Sequence, residues 1–254
     1  MGIELKNTHI ISAGTGCFTE FQLRDHFKTD KDCRIQSMPL DWCLTTINGS
    51  LEYILTVLSR PIENLSYELF FDRGMPEFKD RTNVFHMHIP KILKIAGTFE
   101  QQHETLKKDW RRHEKEITER FQKLDLRLKN ILVNDTKQVN FILNACQKNH
   151  YETIRAYTTL NPDTCMDLND KSVEALKTLN RCNIKTTFVL PNTKSLRKIS
   201  TKISGNQIIW NNNFESCAPN EIYAEHNYKG KPGELAKILT NEPASQLSNL
   251  FTPK

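Results

Sequence analysis

Two apolar runs, Gln138–Leu143 and Ile184–Leu190, constrain the fold of this chain more than any other feature. Neither alternates apolar with polar residues as a half-exposed strand does; Val139, Phe141, Ile142 and Leu143 are nearly continuous, and Pro191 closes the second run. Strands of that kind are covered on both faces, which is the habit of parallel sheets. Between them, Ser172 to Cys182 carries Val173, Leu176 and Leu179 at helical spacing, so the segment reads strand, helix, strand. Gln207–Trp210 and Glu221–Ala224 are shorter strand candidates, and Pro232-Gly233 introduces a last helix through Leu235, Ile238 and Leu239. The expected fold is therefore α/β: a mostly parallel open sheet with helices on both faces. With no repeat and no Gly/Ser linker, residues 1–254 form one domain, with a loosely held tail over 245–254.

The other end of the chain supplies the chemistry. Ile10-Ile11-Ser12-Ala13-Gly14-Thr15-Gly16-Cys17-Phe18 runs from β-branched residues into a small-residue turn, then into an amphipathic stretch, Phe18 to Phe27. Read physically, this is strand, tight turn, helix, with Cys17 at the exit of the turn. A thiol beside a helix N-terminus is shifted toward thiolate by unpaired N–H groups and the helix dipole. Glycine at 14 and 16 lets backbone approach a substrate, so the N–H groups of Gly16 to Phe18 are candidate oxyanion donors.

Between these ends the pattern is mostly helical. Arg34 to Trp42 reads as a short extended segment ended by Pro39. Asn48-Gly49-Ser50 reads as a helix start, with Ser50 capping Leu51 to Leu58 and Pro61 closing it. Residues 61–100 are irregular apart from a strand over Asn83–Ile89, on which His86 and His88 share a face. The longest helix spans 102–131, with Leu106, Trp110, Ile117, Phe121, Leu124, Leu128 and Ile131 as its apolar stripe.

Bulk properties exclude several classes. No apolar stretch approaches the length of a transmembrane helix, and Met1–Lys6 lacks both a signal-peptide core and the Ser or Thr of a myristoylation signal. Seven scattered cysteines without a CxxC pair argue against a disulfide framework or a structural zinc, and for a reducing cytoplasm. That leaves open delivery to another cell without a signal peptide. The net charge of +5 is not gathered into an arm, and Lys107 to Lys115 interleaves acids with bases, as a solvated helix face does. Neither nucleic acid nor membrane is the expected partner. There is no GxSxG elbow, P-loop or GxGxxG, and Gly14-Thr15-Gly16 is too short to cradle phosphates, so no cofactor is called for.

A cysteine nucleophile needs a base and a group to orient that base. In an open α/β sheet these gather at the carboxyl ends of the strands. His88, just before Pro90, is the first candidate base, with His86 and His226 as alternatives. Asp41 is a lone carboxylate in an apolar segment, able to close a turn or to orient a histidine. His86 and His88 could also share a metal, but no third ligand stands at a suitable spacing, so no metal is expected.

Several of these segments, taken in order, resemble a known family. Ile11-Ser12-Ala13-Gly14-Thr15-Gly16-Cys17 with Leu23-Arg24, then Ser37-Met38-Pro39-Leu40-Asp41-Trp42, then a histidine segment, then Lys108-Asp109-Trp110-Arg111-Arg112 and the strand Val139–Leu143 resemble the bacterial papain-like cysteine peptidase family of unknown function. Leu40 stands where that family has phenylalanine in its Pro-Phe-Asp-Trp motif. The likeness covers about residues 8–145. It implies a Cys-His thiol hydrolase with Cys17 as nucleophile and His88 or His86 as base, acting on a peptide, protein or small acyl substrate.

Two readings compete. In one, the chain is a cysteine-dependent peptidase or amidase working through an acyl-enzyme, or an acyltransferase of surface-polysaccharide assembly using the same groups. In the other, it is a non-catalytic α/β binding module whose Cys17 merely lines the sheet's edge.

Overall fold

A computed structural model describes residues 8–14, 19–20, 23, 37–41, 43–72, 75–144, 168–191, 197, 202–203 and 205–211. The opening residues form β1 (Thr8–Ser12), and the two apolar runs form β6 (Gln138–Asn144) and β7 (Ile184–Pro191). With β8 (Gln207–Asn211) they make a four-stranded sheet in the order β1-β6-β7-β8, parallel at every step. Ile11 pairs with Phe141, and Phe141 with Thr186, so all four strands share one carboxyl edge, at Ser12, Asn144, Pro191 and Asn211. The fold is the expected α/β sheet.

Both faces of the central strands are buried, as their unalternating composition requires. Ile11, Phe141, Leu143 and Phe188 belong to the main core, while Ile10, Ile142 and Val189 on the opposite face are equally shielded. Burying a side chain of this size contributes about 1.5–3 kcal/mol. The main core draws most of its helical residues from α1 (Ile47–Ser59), α4 (Trp110–Asn134) and α5 (Asp170–Arg181), with α1 packed on both of the others.

Local expectations need five corrections. The helix starting near residue 50 is capped by Thr46, whose hydroxyl accepts the Gly49 N–H at 2.9 Å, and Ser50 lies buried inside it. Gly49 itself is required by packing: a Cβ there would fall 2.4 Å from the carbonyl oxygen of Asn83. The long helix is two, α3 (Phe99–Lys108) and α4, separated at Asp109, whose backbone leaves the helical well. Residues 61–100 hold an antiparallel hairpin, β3 (Leu69–Asp72) with β4 (Met75–Phe78), hidden from sequence because Met75 to Phe78 are all buried and show no alternation. The strand over 83–89 is only Val84–Phe85 (β5), paired antiparallel with Leu44–Thr45 (β2). The Met38–Asp41 stretch is a turn rather than extended chain, closed by Asp41 N–H to Met38 C=O at 3.3 Å.

The helix expected over Phe18–Phe27 is helical at Thr19, Glu20 and Leu23, all buried. The Glu221–Ala224 strand, the last helix and the tail lie outside the described residues. No helix among the described residues is long and apolar enough to cross a membrane.

Candidate active site

The glycine turn singled out from sequence follows β1 and packs on Thr45, four residues after Asp41. Ala13 continues the ladder, its N–H bonded to Ile142 C=O at 3.0 Å, and Gly14 then turns the chain with φ of +85°. That conformation is strained for any residue with a side chain. Space forbids a side chain as well: a Cβ on Gly14 would lie 2.7 Å from the hydroxyl of Thr45, which is held by Ser50 at 2.6 Å. The glycine turn is thus pressed against β2 at the carboxyl edge of the sheet.

β2 brings the second motif. Just before it, Asp41 is fully buried and its Oδ2 accepts the Met38 N–H at 2.6 Å, tying the Met-Pro-Leu-Asp turn together. Cys43 follows. The antiparallel register pairs Leu44 with Phe85, so one step further Cys43 stands opposite His86. The sulfur and His86 Nδ1 are 3.1 Å apart, and the sulfur also lies 3.3 Å from the carbonyl of Pro39.

His86 and His88 do not share a strand face. The chain turns directly after Phe85, with Ile89 N–H bonded to His86 C=O, and enters the short helix α2 (Ile89–Ile92) with Pro90 in its first turn. Proline suits that position because its missing N–H would be unpaired there anyway. His86 therefore points into the core, flanked by the rings of Phe78 at 4.5 Å and Phe121 at 4.7 Å, while His88 caps α2 half-buried. Burial first, and then the charge of Arg81, push the His86 imidazole from 6.5 down to about 3. Burial and then Lys91 push His88 down to about 4. Both imidazoles are neutral near pH 7, able to accept a proton and not poised to hold one.

Behind this lies a buried ionic cluster that the sequence reading did not anticipate. Asp125 of α4 accepts hydrogen bonds from Tyr53 at 2.7 Å, Tyr67 at 2.8 Å and Arg81 at 2.5 Å. The Arg81 guanidinium also donates to the carbonyl of Ser66 and lies 4.7 Å from the Phe78 ring, the same ring that flanks His86. The cluster joins α1, α4 and the β3–β4 hairpin behind the histidine. One signal for it is legible in the chain: Asp125 sits four residues after Phe121 and three before Leu128, a carboxylate on an apolar stripe. Cys43 was missed too, although it follows Asp41 by two residues in the same apolar segment.

The structure packs the Gly14 turn on Thr45 and, through the β2–β5 pairing, sets Cys43 against His86, with His88 two residues further on at the start of α2, while Asp41 closes its own turn on Met38. Cys17, Gly16, Phe18 and His226 lie outside the described residues. Among the described residues no three His, Cys, Asp or Glu side chains converge on a point where a metal would sit. Compared with protein-family models, with curated proteins and with solved structures, the chain matches none.

Proposed function

We propose that this chain is a cysteine-dependent acyl hydrolase whose nucleophile is Cys17. The observation that carries the reading is the packing of the Gly14 turn on Thr45, because it sets the chain three residues before Cys17 against β2, which follows Asp41 and pairs with β5, the strand that leads into the histidines. Helical backbone at Thr19 and Glu20, two and three residues after Cys17, fits a thiol near a helix N-terminus. The likeness to papain-like cysteine peptidases, motif by motif from Ile11 to Arg112, points the same way.

In this mechanism the base takes the thiol proton as sulfur attacks the substrate carbonyl, forming the S–C bond. Backbone N–H groups at Gly16 and Phe18 receive the oxyanion. The imidazolium then protonates the leaving amine or alcohol, and water attacking the thioester releases the acid and regenerates the thiol. His88 is the base, since His86 is committed to Cys43 and closed in by two aromatic rings. Asp41 holds the turn beside them. Amides, esters and thioesters are all open to this chemistry, and an acceptor other than water would make the same site an acyltransferase.

The test is hydrolysis of activated esters and of a peptide library by purified protein, with Cys17→Ala and His88→Ala set against Cys182→Ala, which alters an exposed thiol. Turnover abolished in the first two and kept in the third is the expected result. Turnover surviving in Cys17→Ala would overturn the assignment, and no turnover in any form would favour the binding-module reading.

A further inference from the structure

Two of the three large apolar side chains that stand exposed among the described residues lie on one helix: Leu126 is 48% and Val133 57% exposed, and both belong to α4. Seven residues apart, they fall on one face, two turns and about 10 Å along the axis from each other. The side of α4 that packs on the core is a different one, carrying Ile117, Phe121, Leu128 and Leu132. The solvent side of a helix is ordinarily polar, and an apolar pair at this spacing is the seam of a helix–helix contact. Two surface grooves of about 680 and 530 Å³ meet on that side and share Lys123 and Leu126. One runs past Arg127, Asn130 and Asn134 to His9, and the other ends at Ile62 and Glu63.

The charge here is one-sided. From Arg120 to Asn134 the sole carboxylate is Asp125, buried on Arg81, whereas Arg120, Lys123 and Arg127 are exposed. Arg127 gives one N–H to the Ser37 carbonyl at 2.8 Å, and neither it nor Lys123 has a carboxylate partner among the described residues. Of the acids that border the grooves, Asp135 is held by His9 at 2.6 Å and Glu119 faces Lys115 at 3.9 Å, while Glu63 stands at the far end. We infer that this face of α4 docks an acidic amphipathic helix of a partner protein, with two apolar side chains seven residues apart on Leu126 and Val133 and carboxylates on Lys123 and Arg127. A second copy of α4 would bring cations and no exposed carboxylate to this stretch, and a nucleic acid would leave the two aliphatic side chains uncovered. The face from Glu119 to Val133 is about 21 Å long, which a partner helix of about 14 residues covers. One groove reaches the amino end of the sheet, where His9 and Thr136 lie, so the docked helix is separate from the Gly14 turn at the carboxyl edge.

The test is a titration of the whole protein into a dye-labelled peptide, followed by fluorescence anisotropy. The probe is an alanine-based helical peptide of about 16 residues, with two leucines seven apart and glutamates three and four residues from each on the same face. Saturable binding with Kd on the order of 100 μM or tighter is expected, weakening as salt rises from about 0.05 to about 0.5 M. A peptide with lysine for glutamate is expected to bind about tenfold or more weakly, and so is the glutamate peptide to the double variant Lys123→Glu, Arg127→Glu. That double variant should in turn bind the lysine peptide more tightly than the parent does, an exchange that damage to the fold cannot produce. Leu126→Ala, a change at an exposed position, is expected to weaken the glutamate peptide about threefold. Equal affinity for the two peptides, a double variant that binds like the parent, or no saturation by about 1 mM would each overturn the inference. So would tighter binding of a single-stranded oligonucleotide than of the peptide, or sedimentation of the protein alone as a dimer that Leu126→Ala dissociates. The readout needs no turnover, so it fails or succeeds separately from the hydrolase reading.

Discussion

The sulfur of Cys43 lies 3.1 Å from Nδ1 of His86, and neither residue is the one the sequence marks first as thiol or base. In outline the pair looks like a catalytic dyad, but it is closed off from any substrate. The burial that pushes the imidazole down to about 3 leaves Cys43 and His86 each 2% exposed, with the rings of Phe78 and Phe121 against the histidine. The contact instead fixes the Met38–Thr45 segment to the start of α2.

Cys43 is accordingly expected to be a slow thiol. With iodoacetamide at pH 7 under native conditions, peptide mass spectrometry should show Cys43 alkylated about tenfold or more slowly than the exposed Cys182. Modification of Cys43 at the Cys182 rate would mean that the pair carries a thiolate, and would move the nucleophile from Cys17 to Cys43.

The same depressed imidazoles predict an acid limit to stability. His86 and His88 bind protons near pH 6.5 when unfolded but only near pH 3 and pH 4 when folded. The unfolded state therefore holds more protons throughout that interval. The stability is fully present above pH 6.5 and is lost as the pH falls toward 4. Each histidine contributes a slope of about 1.4 kcal/mol per pH unit there. Urea denaturation at pH 7, 6, 5 and 4 should show a steep decline, and His86→Phe should remove roughly one proton's worth of that slope. A parent whose stability is flat from pH 7 to 5 would contradict the burial of both rings.

How much of this was legible depends on where the information lies. The parallel sheet was, because Val139–Leu143 and Ile184–Leu190 can be satisfied only by cover on both faces, a demand written in consecutive residues. The helix Asp170–Arg181 was legible for the same reason, from local periodicity. Asp41, the histidines and the glycine turn stand out by residue type, and the turn's place at the carboxyl end of β1 by the strand that precedes it. What was not legible was pairing across distance. Nothing near Cys43 announces that Phe85 will sit opposite Leu44, so the Cys43–His86 contact could not be read. His86-Met87-His88 reads as strand because its β-like composition outweighs the helix-starting habit of Pro90. Asp125 shows the same limit from the other side. Its place on an apolar stripe says that a buried partner must exist, but only the fold says that the partner is Arg81.

That buried pair should be expensive to break from one side. Asp125→Ala leaves the buried Arg81 with Asp80 alone as a carboxylate partner and strips Tyr53 and Tyr67 of their acceptor, so a loss of about 3 kcal/mol is expected. Tyr53→Phe and Tyr67→Phe each remove one donor while Asp125 keeps the others, so about 1–2 kcal/mol apiece is expected. Urea or thermal denaturation measures all three. An Asp125→Ala variant within about 1 kcal/mol of the parent would show that the cluster does not hold α1, α4 and the β3–β4 hairpin together.

The Gly14–Thr45 contact offers the sharpest test of how the candidate site is built. Gly14→Ala must place a side chain at φ of +85° and within 2.7 Å of the Thr45 hydroxyl, and either fault alone is unfavourable. A loss of about 2–3 kcal/mol is expected. Thr45→Ala costs less by itself, removing the bond to Ser50 at 2.6 Å. Combined, the two should be less destabilising than their sum, because the shortened side chain at position 45 no longer collides with the methyl added at position 14. The coupling should be about 1 kcal/mol. The backbone strain remains in the double variant, so recovery is partial. If the hydrolase reading holds, turnover should follow the same order, with Gly14→Ala the most impaired and the double variant partly restored, since the turn that leads to Cys17 returns toward its place against β2. Additive stabilities would show that Gly14 and Thr45 do not press on one another, and the convergence of the glycine turn with the histidine segment would lose its foundation.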